Sequence, residues 1–335
     1  MKHLKIGIIG LGVGESLART FSECPGCEVA ALCDFSEEKL QKVHASHPQA
    51  TITASADDLF RIPDLDVVAI ASYDDAHASQ AVRALEAGKH IFLEKPLCQN
   101  EADLRRIHNA WKRHGGKIQL GSNLVLRGAE LYRQLHQKIQ EGIFGSVYAW
   151  DGDYLYGRVH KLTEGWRGQI PFYSVIQGGG VHMIDLMMWL LNERPNRASC
   201  VGNRICTKDS AFRHPDFMAA TFSFPSGAVG RVTANFGCMH RHHHVIRVFG
   251  THATCIFDDA GARLHMTRDP DVSATLLPFA SLPLSKGVLI PRFVQAIQTS
   301  EDMTSETMSF FDAMKVCFAA DEAFQKGATV PISYL

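Results

Sequence analysis

The chain has no apolar run near the roughly 18–20 residues that a membrane-spanning helix needs. It also has no excess charge of one sign: 34 Lys and Arg stand against 35 Asp and Glu, for a formal net charge of −1. That balance creates no global field to draw the protein to nucleic acid or to an anionic membrane. Internal repeats and low-complexity tracts are missing too. The opening "MKHLKIGIIG" is too short in its apolar part, and too rich in Gly, for a signal peptide. It reads as a strand, and the expected compartment is the cytoplasm. Cys24 and Cys27 form C-x-x-C within "ECPGCE", but the chain lacks a second such pair. The motif therefore reads as a Pro-Gly turn between two small residues, not a redox pair or half a zinc site. All nine cysteines are expected to be reduced.

What is present is an ordinary globular composition, 46% hydrophobic and 21% charged over 335 residues. That length suits about two domains. The N-terminal third alternates strand and helix. "LKIGIIG", "CEVAALCD", "DLDVVAIAS", "KHIFLE" and "KIQLGSN" are short, nearly continuous apolar runs. Between them lie helical patterns, including "SEEKLQKVHASH" capped by Ser36, and a helix closed by Gly88. Apolar strands separated by helices predict a parallel sheet covered on both faces. Right-handed crossovers leave every carboxyl end on one edge, where ligands of such sheets bind.

The first strand ends in "GLGVGES", with Gly10, Gly12 and Gly14. Glycine here serves a tight turn, close approach of a pyrophosphate to the backbone, and close helix–strand packing. The spacing departs from G-x-G-x-x-G, because Glu15 takes the third position and glycine comes one place early. Asp34 ends the second strand. A carboxylate there accepts ribose hydroxyls and repels a 2′-phosphate, which favours NAD over NADP. A second apolar strand ends abruptly in Glu94, Lys95 and Pro96. On the ligand edge, Lys95 would present an amine able to stabilise an alkoxide or relay a proton. Pro96 restricts Lys95 to extended geometry and so fixes its direction.

After residue 121 the pattern changes to one helix and then runs of strand type, with "FPSG" as a hairpin turn. Tyr154, Tyr156 and Arg158 alternate, so a strand would place them on one face. His160 lies just beyond and is a further candidate. "HRHHH" would place His240, His242 and His244 on one strand face and His243 on the other. No nearby ligand spacing supports a metal there, and a sheet-face or subunit-interface role is expected. No metal is assigned.

Several of these stretches together resemble the Gfo/Idh/MocA oxidoreductases: "KIGIIGLGVGESLA", "HASQAVRALEAGKHIFLEKPL", "GWRG", "GVHMIDLMMWL" and the C-terminal "ETMSFFDAMKVCFAADEAFQKGATVPI". The resemblance implies an α/β Rossmann domain with a parallel doubly wound sheet over 1–121. An α+β substrate and oligomerisation domain with an open, mostly antiparallel sheet would fill 122–335. A C-terminal helix at about 304–326 would pack back on the first domain. Members usually oxidise or reduce a hydroxyl on a sugar, inositol or nucleotide sugar, and look like dimers or tetramers joined through the open sheet.

By that resemblance Lys95 is catalytic, and the Lys95–Pro96 peptide is cis. Gly10, Leu11, Gly12, Val13, Gly14 and Asp34 would hold the cofactor, with Glu94 and Lys95 beside it. "SYDDAH" is similar to the family's T-P-N-x-x-H, giving Ser72, Tyr73 and His77 to the cofactor, although Tyr73 and Asp74 replace Pro and Asn. Asn123, and the Trp166–Arg167 pair that closes over cofactor or substrate, complete that set. "GVHMIDLMMWL" is similar to D-x-x-x-H-x-x-D, which makes His182 a general base and Asp185 its orienter or a hydroxyl ligand. The first Asp of that pattern is replaced by Gly178. Tyr154, Arg158 and Tyr173 are then the candidates to complete the substrate site beside Lys95, His182 and Asp185. The implied activity is NAD-dependent hydride transfer to or from a carbohydrate-like hydroxyl or ketone. The alternatives are a glycosidase working by transient oxidation and elimination, and a catalytically idle NAD-binding sensor.

Overall fold

The computed structural model describes residues 3–278 and 286–335. The chain forms two compact units, Met1–Val125 with Ser285–Phe311, and Leu126–Leu284 with Asp312–Leu335.

In the first unit, β1 (Leu4–Ile9), β2 (Cys27–Cys33), β3 (Thr51–Thr53), β4 (Val67–Ile70), β5 (His90–Leu93) and β6 (Leu120–Ser122) form one sheet in the order β3-β2-β1-β4-β5-β6. Every pairing is parallel. The crossovers carry α1 (Gly14–Glu23), α2 (Glu37–His44), α3 (Ala56–Phe60), α4 (His77–Glu86) and α5 (Glu101–Lys112). This is the doubly wound α/β fold that the strand–helix alternation predicts. Sequence reading missed β3 and α3, because Thr-Ile-Thr is too short to show a period.

Local signals explain most boundaries. The Ser36 hydroxyl accepts from Lys39 N at 3.4 Å and caps α2. Asn100 caps α5 through Asp103 N at 2.9 Å. Gly88 follows α4 with φ +73°, a left-handed turn that L side chains rarely adopt. The strands bury β1 and β4 almost completely, with Leu4, Ile6, Ile8, Val67 and Ala69 in one core with Leu17, Phe21 and Phe92. Phe293, on the helix Ile290–Thr299, packs 5.4 Å from Phe92, ring centre to ring centre. Each such fully buried ring contributes roughly 1.5–3 kcal/mol.

The second unit holds α6 (Glu130–Gln140), β7 (Val147–Leu155), α7 (His160–Thr163) and α8 (Val181–Leu191). Then follow β8 (Arg197–Asn203), β9 (Phe217–Ser223), β10 (Val229–Asn235), β11 (His243–Gly250), β12 (Thr254–Asp258), β13 (Gly261–His265) and β14 (Thr275–Leu277). After the long helix Thr304–Lys326 comes β15 (Val330–Pro331). The nine strands order as β14-β13-β12-β11-β7-β10-β9-β8-β15. All pairings are antiparallel except β10 with β7, so the sheet is mixed but mostly antiparallel. "FPSG" makes the β9–β10 hairpin turn. Trp150, Gly152 and Tyr154 of β7 are buried on one face. The alternate residues Asp151 and Asp153 lie on the other face and pair with Arg231 at 3.1 Å.

Two face assignments from the sequence need correction. β7 ends at Leu155, and Gly157 turns the chain with φ +57°, so Arg158 does not continue the strand. β11 begins at His243, so His240 and His242 precede it and the simple alternation fails. Among the described residues, no helix is long and apolar enough to cross a membrane.

Candidate functional site

Two clusters contain the candidate residues, one in each unit. In the first unit, Gly10 lies at φ +83°, and a Cβ there would sit 2.5 Å from the Ala71 carbonyl oxygen. Only glycine fits that turn. A Cβ on Gly14 would lie 2.9 Å from Ile8 Cγ2, so Gly14 lets α1 pack closely on β1. It thereby does the packing work of a third glycine, one place early. Glu15 is free to point outward and pairs with Lys42 at 2.8 Å. Around Gly12 nothing lies within 4 Å of where a Cβ would be, so that flank of the turn is open enough for a phosphate to approach the backbone.

Asp34 follows β2 and is 5% exposed. Its two oxygens accept from Leu11 N at 2.7 Å and Ser36 N at 2.9 Å. These bonds fix the carboxylate against the Gly turn. An ionised carboxylate has about four acceptor positions, which leaves capacity for two hydroxyls. The glycine cradle and this carboxylate fit a dinucleotide with a free ribose diol. Val13 stands at the N-terminus of α1 without a side-chain cap.

Further along the same edge, the Lys95–Pro96 peptide is cis. Lys95 is half-buried, and its N–H donates to Glu94 Oε2 at 3.3 Å. Glu94 is 8% exposed, and its Oε1 accepts from Asn123 Nδ2 at 2.5 Å. Glu94 and Asn123 thus brace the base of Lys95. The Asn123 amide oxygen is buried and meets no hydrogen-bond partner among the described residues. His77, at the start of α4, donates from Nδ1 to the Pro96 carbonyl at 2.7 Å, while Nε2 lies 3.2 Å from the Ser72 carbonyl. His77 therefore ties the β4–α4 loop to the Lys95–Pro96 turn. Ser72 donates to Gln80 Oε1 at 2.6 Å. Tyr73 is 39% exposed and meets the Phe35 ring at 5.9 Å.

In the second unit, a π-helical turn Ile176–Gly180 leads into α8. The Ser174 hydroxyl accepts from Ile176 N at 3.1 Å and Gln177 N at 3.3 Å, capping this start. Asp321 accepts from Ser174 Oγ at 2.7 Å and Gln177 Nε2 at 2.8 Å. A Cβ on Gly178 would lie 2.0 Å from the Tyr173 hydroxyl, and one on Gly179 would lie 2.4 Å from Tyr154 Cε1. The glycines admit these two tyrosines against the helix. Arg167 Nε donates to the Tyr173 hydroxyl at 3.0 Å and stacks over Trp166 at 4.6 Å.

His182 is 6% exposed and stacks on Tyr154, ring centres 6.0 Å apart. Tyr154 also meets Tyr156 at 5.7 Å, His242 at 5.1 Å and His244 at 5.4 Å. Arg158 stacks over Tyr156 at 5.2 Å, so it joins the cluster from the turn after β7. Burial pushes the Tyr154 phenol well above its usual range. Within the histidine run His243 and His244 are buried, His243 against Phe257, while His240 and Arg241 both reach Asp259, at 2.8 and 2.6 Å.

Asp185 is 1% exposed. Arg127 grips both its oxygens, Nε at 2.9 Å and Nη2 closer still. Burial raises the Asp185 carboxyl, and the guanidinium opposes that shift. Asp185 and His182 share α8, but the Asp185 carboxylate is engaged by Arg127. Sequence reading missed Arg127, Asp321 and the packing role of His244, all of which depend on contacts distant in sequence.

Comparison with known proteins agrees with this architecture. Residues 4–122 match the model of the oxidoreductase family GFO_IDH_MocA, NAD-binding Rossmann fold. Residues 132–256 match the GFO/IDH/MocA C-terminal domain. An inositol 2-dehydrogenase of Salmonella typhimurium is 32% identical over 197 residues, which are 57% of this chain and 55% of that protein. The chain thus spans about half the length of such curated relatives. Inositol 2-dehydrogenase 3 of Saccharopolyspora erythraea is 25% identical over 98% of this chain and 96% of its own. Among solved structures, levoglucosan dehydrogenase in complex with NADH superposes with a TM-score of 0.88 at 19% identity, covering 100% of both chains. Scyllo-inositol dehydrogenase from Lactobacillus casei, with bound NAD(H) and scyllo-inositol, gives 0.82 at 20% identity over 98% of this chain and 99% of that one.

Proposed function

Because the chain belongs to the Gfo/Idh/MocA oxidoreductase family, we propose that it is an NAD-dependent oxidoreductase acting on a ring hydroxyl or ketone of a polyol or sugar. The observation that carries this is the edge shared by β1, β2 and β5. There the open Gly12 flank, the braced Asp34 carboxylate and the half-buried Lys95 stand along one sheet. Asp34 binds a free ribose diol, which selects NAD over NADP. Bound NAD would supply the hydride acceptor. Lys95 polarises the substrate oxygen and stabilises its developing negative charge. His182 takes the hydroxyl proton. Glu94, Asn123 and His77 hold the Lys95 backbone in place. Tyr154, Arg158 and Tyr173 bind further hydroxyls, and Trp166 with Arg167 covers the cofactor or substrate. Arg127 and Asp185 position α8 and the imidazole it carries. In this reading residues 1–121 serve the cofactor, and residues 122–335 serve the substrate and a homodimer or homotetramer joined through the open sheet.

The test is NADH formation at neutral to alkaline pH with myo-inositol, scyllo-inositol, levoglucosan and free sugars. At least one should be oxidised with NAD and poorly with NADP. Lys95→Ala should lower kcat by about 10²–10⁴-fold with the fold intact by circular dichroism. Full turnover in that variant would remove Lys95 from the mechanism. Cleavage of a glycoside without net NADH would select transient oxidation and elimination instead. Binding of NAD and sugar without turnover would leave a sensor.

A further inference from the structure

Of the nine cysteines, six are buried, while Cys27 and Cys238 are half-buried. Cys206 is exposed, on the loop 204–216 between β8 and β9. That loop is firmly held. Asp216 Oδ2 accepts from Thr207 N at 2.7 Å and from Thr207 Oγ1 at 2.9 Å. Arg204 Nη1 donates to the Phe212 carbonyl at 2.6 Å. The Asp216 backbone also straps the loop to the chain leaving β10. Its N–H donates to the Asn203 carbonyl and its carbonyl accepts from Phe236 N, both at 3.0 Å. Just past Phe236 the two segments touch at Gly237. A Cβ there would overlap Cys206 Sγ and lie 2.6 Å from Cys206 Cβ, so only glycine admits the thiol. Cys206 Sγ lies 3.8 Å from the Gly237 carbonyl oxygen, and Cys238 is the next residue. Beyond Cys238 the chain runs tight against the turn after β7. A Cβ on Gly157 would overlap the His240 carbonyl oxygen and lie 3.1 Å from that of Cys238. His242 then meets Tyr154 and Tyr156, its ring centre 5.1 Å from each.

We propose that Cys206 and Cys238 are a reversible modification site, which closes to a disulfide under excess oxidised glutathione and pins the loop from Cys238 to His242. Consecutive Cα atoms stand about 3.8 Å apart, and disulfides join Cα atoms roughly 4.4–6.8 Å apart. Contact with Gly237 brings Cys206 to about that separation from the residue after it, so rotation of the two side chains joins the sulfurs. The exposed Cys206 thiolate attacks one sulfur of oxidised glutathione and releases a glutathione thiolate, which takes up a proton. The Cys238 thiolate then attacks Cys206 Sγ, breaks the mixed disulfide and releases the second glutathione. Two protein thiols are oxidised to one disulfide, and one glutathione disulfide is reduced to two thiols. Partial desolvation, the Asp216 carboxylate and Cys238 itself all raise the Cys206 thiol. Exchange is therefore slow near neutrality and quickens as pH rises. The closed link would fasten the loop that carries His242 to the rigid loop 204–216, on the cluster where Tyr154 stacks on His182.

The test is equilibration of the full chain at about pH 8 with glutathione buffers of rising oxidised share, followed by alkylation, digestion and peptide mapping. A peptide linking Cys206 to Cys238 should accumulate while the buried cysteines remain thiols, and dithiothreitol should remove it. Cys238→Ser should stop the reaction at a Cys206–glutathione adduct. In the linked parent, amide hydrogen exchange over residues 238–242 should slow about tenfold. These readouts need neither cofactor nor turnover, so they stand apart from the activity proposed above. A parent chain whose Cys206 stays a thiol, or stops at the glutathione adduct at every ratio, would overturn the site. A linked chain with unchanged exchange over 238–242 would overturn the pinning.

Discussion

Asp321 is a carboxylate enclosed by protein, and burial raises it from the usual range to about 6. The bonds from Ser174 and Gln177 pull the other way and only partly offset that cost. Below about pH 4 the carboxyl is protonated whether the chain is folded or not. Between about 4 and 6 the unfolded chain ionises while the folded one keeps its proton, so stability falls as pH rises. Above that window the loss is complete, at roughly 3 kcal/mol. Urea unfolding at several pH values, for the parent and Asp321→Asn, isolates the effect. The difference between the two stabilities should step across that window, and a flat difference would mean an ordinary carboxyl. Residues of the first cluster were legible in the sequence because their constraints are local. Gly10 and Asp34 end consecutive strands, and Glu94-Lys95-Pro96 ends a third. Gly178 was visible only as a missing carboxylate. Its cause, the Tyr173 hydroxyl in the space a side chain would need, is a contact that no spacing rule encodes.

At the scale of elements, α8 is held at its start by Asp321 and Ser174 and along its flank by Arg127 gripping Asp185. Arg127 lies on a short 3₁₀ turn, Val125–Gly128, with 12% of its side chain exposed. Arg127→Met would leave the Asp185 carboxyl buried without its cation. Such losses cost about 3–5 kcal/mol, and here the lower figure applies because a raised carboxyl can take up a proton. Chemical denaturation near neutral pH should show that loss, and a change below about 1 kcal/mol would mean the pair contributes little. Elements with a long apolar period were readable from the residues alone, as α1, α4 and α5 show. Where strands met turns, reading by alternation failed. A left-handed Gly157 takes Arg158 off β7, and the late start of β11 separates His240 from His244. Alternation predicts faces only inside a strand, and strand ends are set by backbone turns and pairing.

At the scale of the whole molecule, the parallel sheet of the first unit followed from period and order, apolar strands between helices, and the strand-rich character of the second followed from its runs of strand type with turn residues, whereas the open, mostly antiparallel sheet of the second was implied by the family resemblance. Parallel strands buried on both faces read as nearly continuous apolar runs, so the first class showed in the residues themselves, and the change of pattern after it marked a second unit. The identity of the substrate does not follow from it, since pocket polarity comes from side chains brought together by folding. The proposed reaction moves a hydride from a carbinol carbon to the nicotinamide ring. The direct measurement is mass spectrometry of the NADH formed from a polyol deuterated at its ring carbons. Reduced cofactor from the parent chain should carry deuterium at C4, and Lys95→Ala should yield almost none over the same time. Substrate consumed by the parent while the cofactor stays unlabelled and oxidised would contradict it.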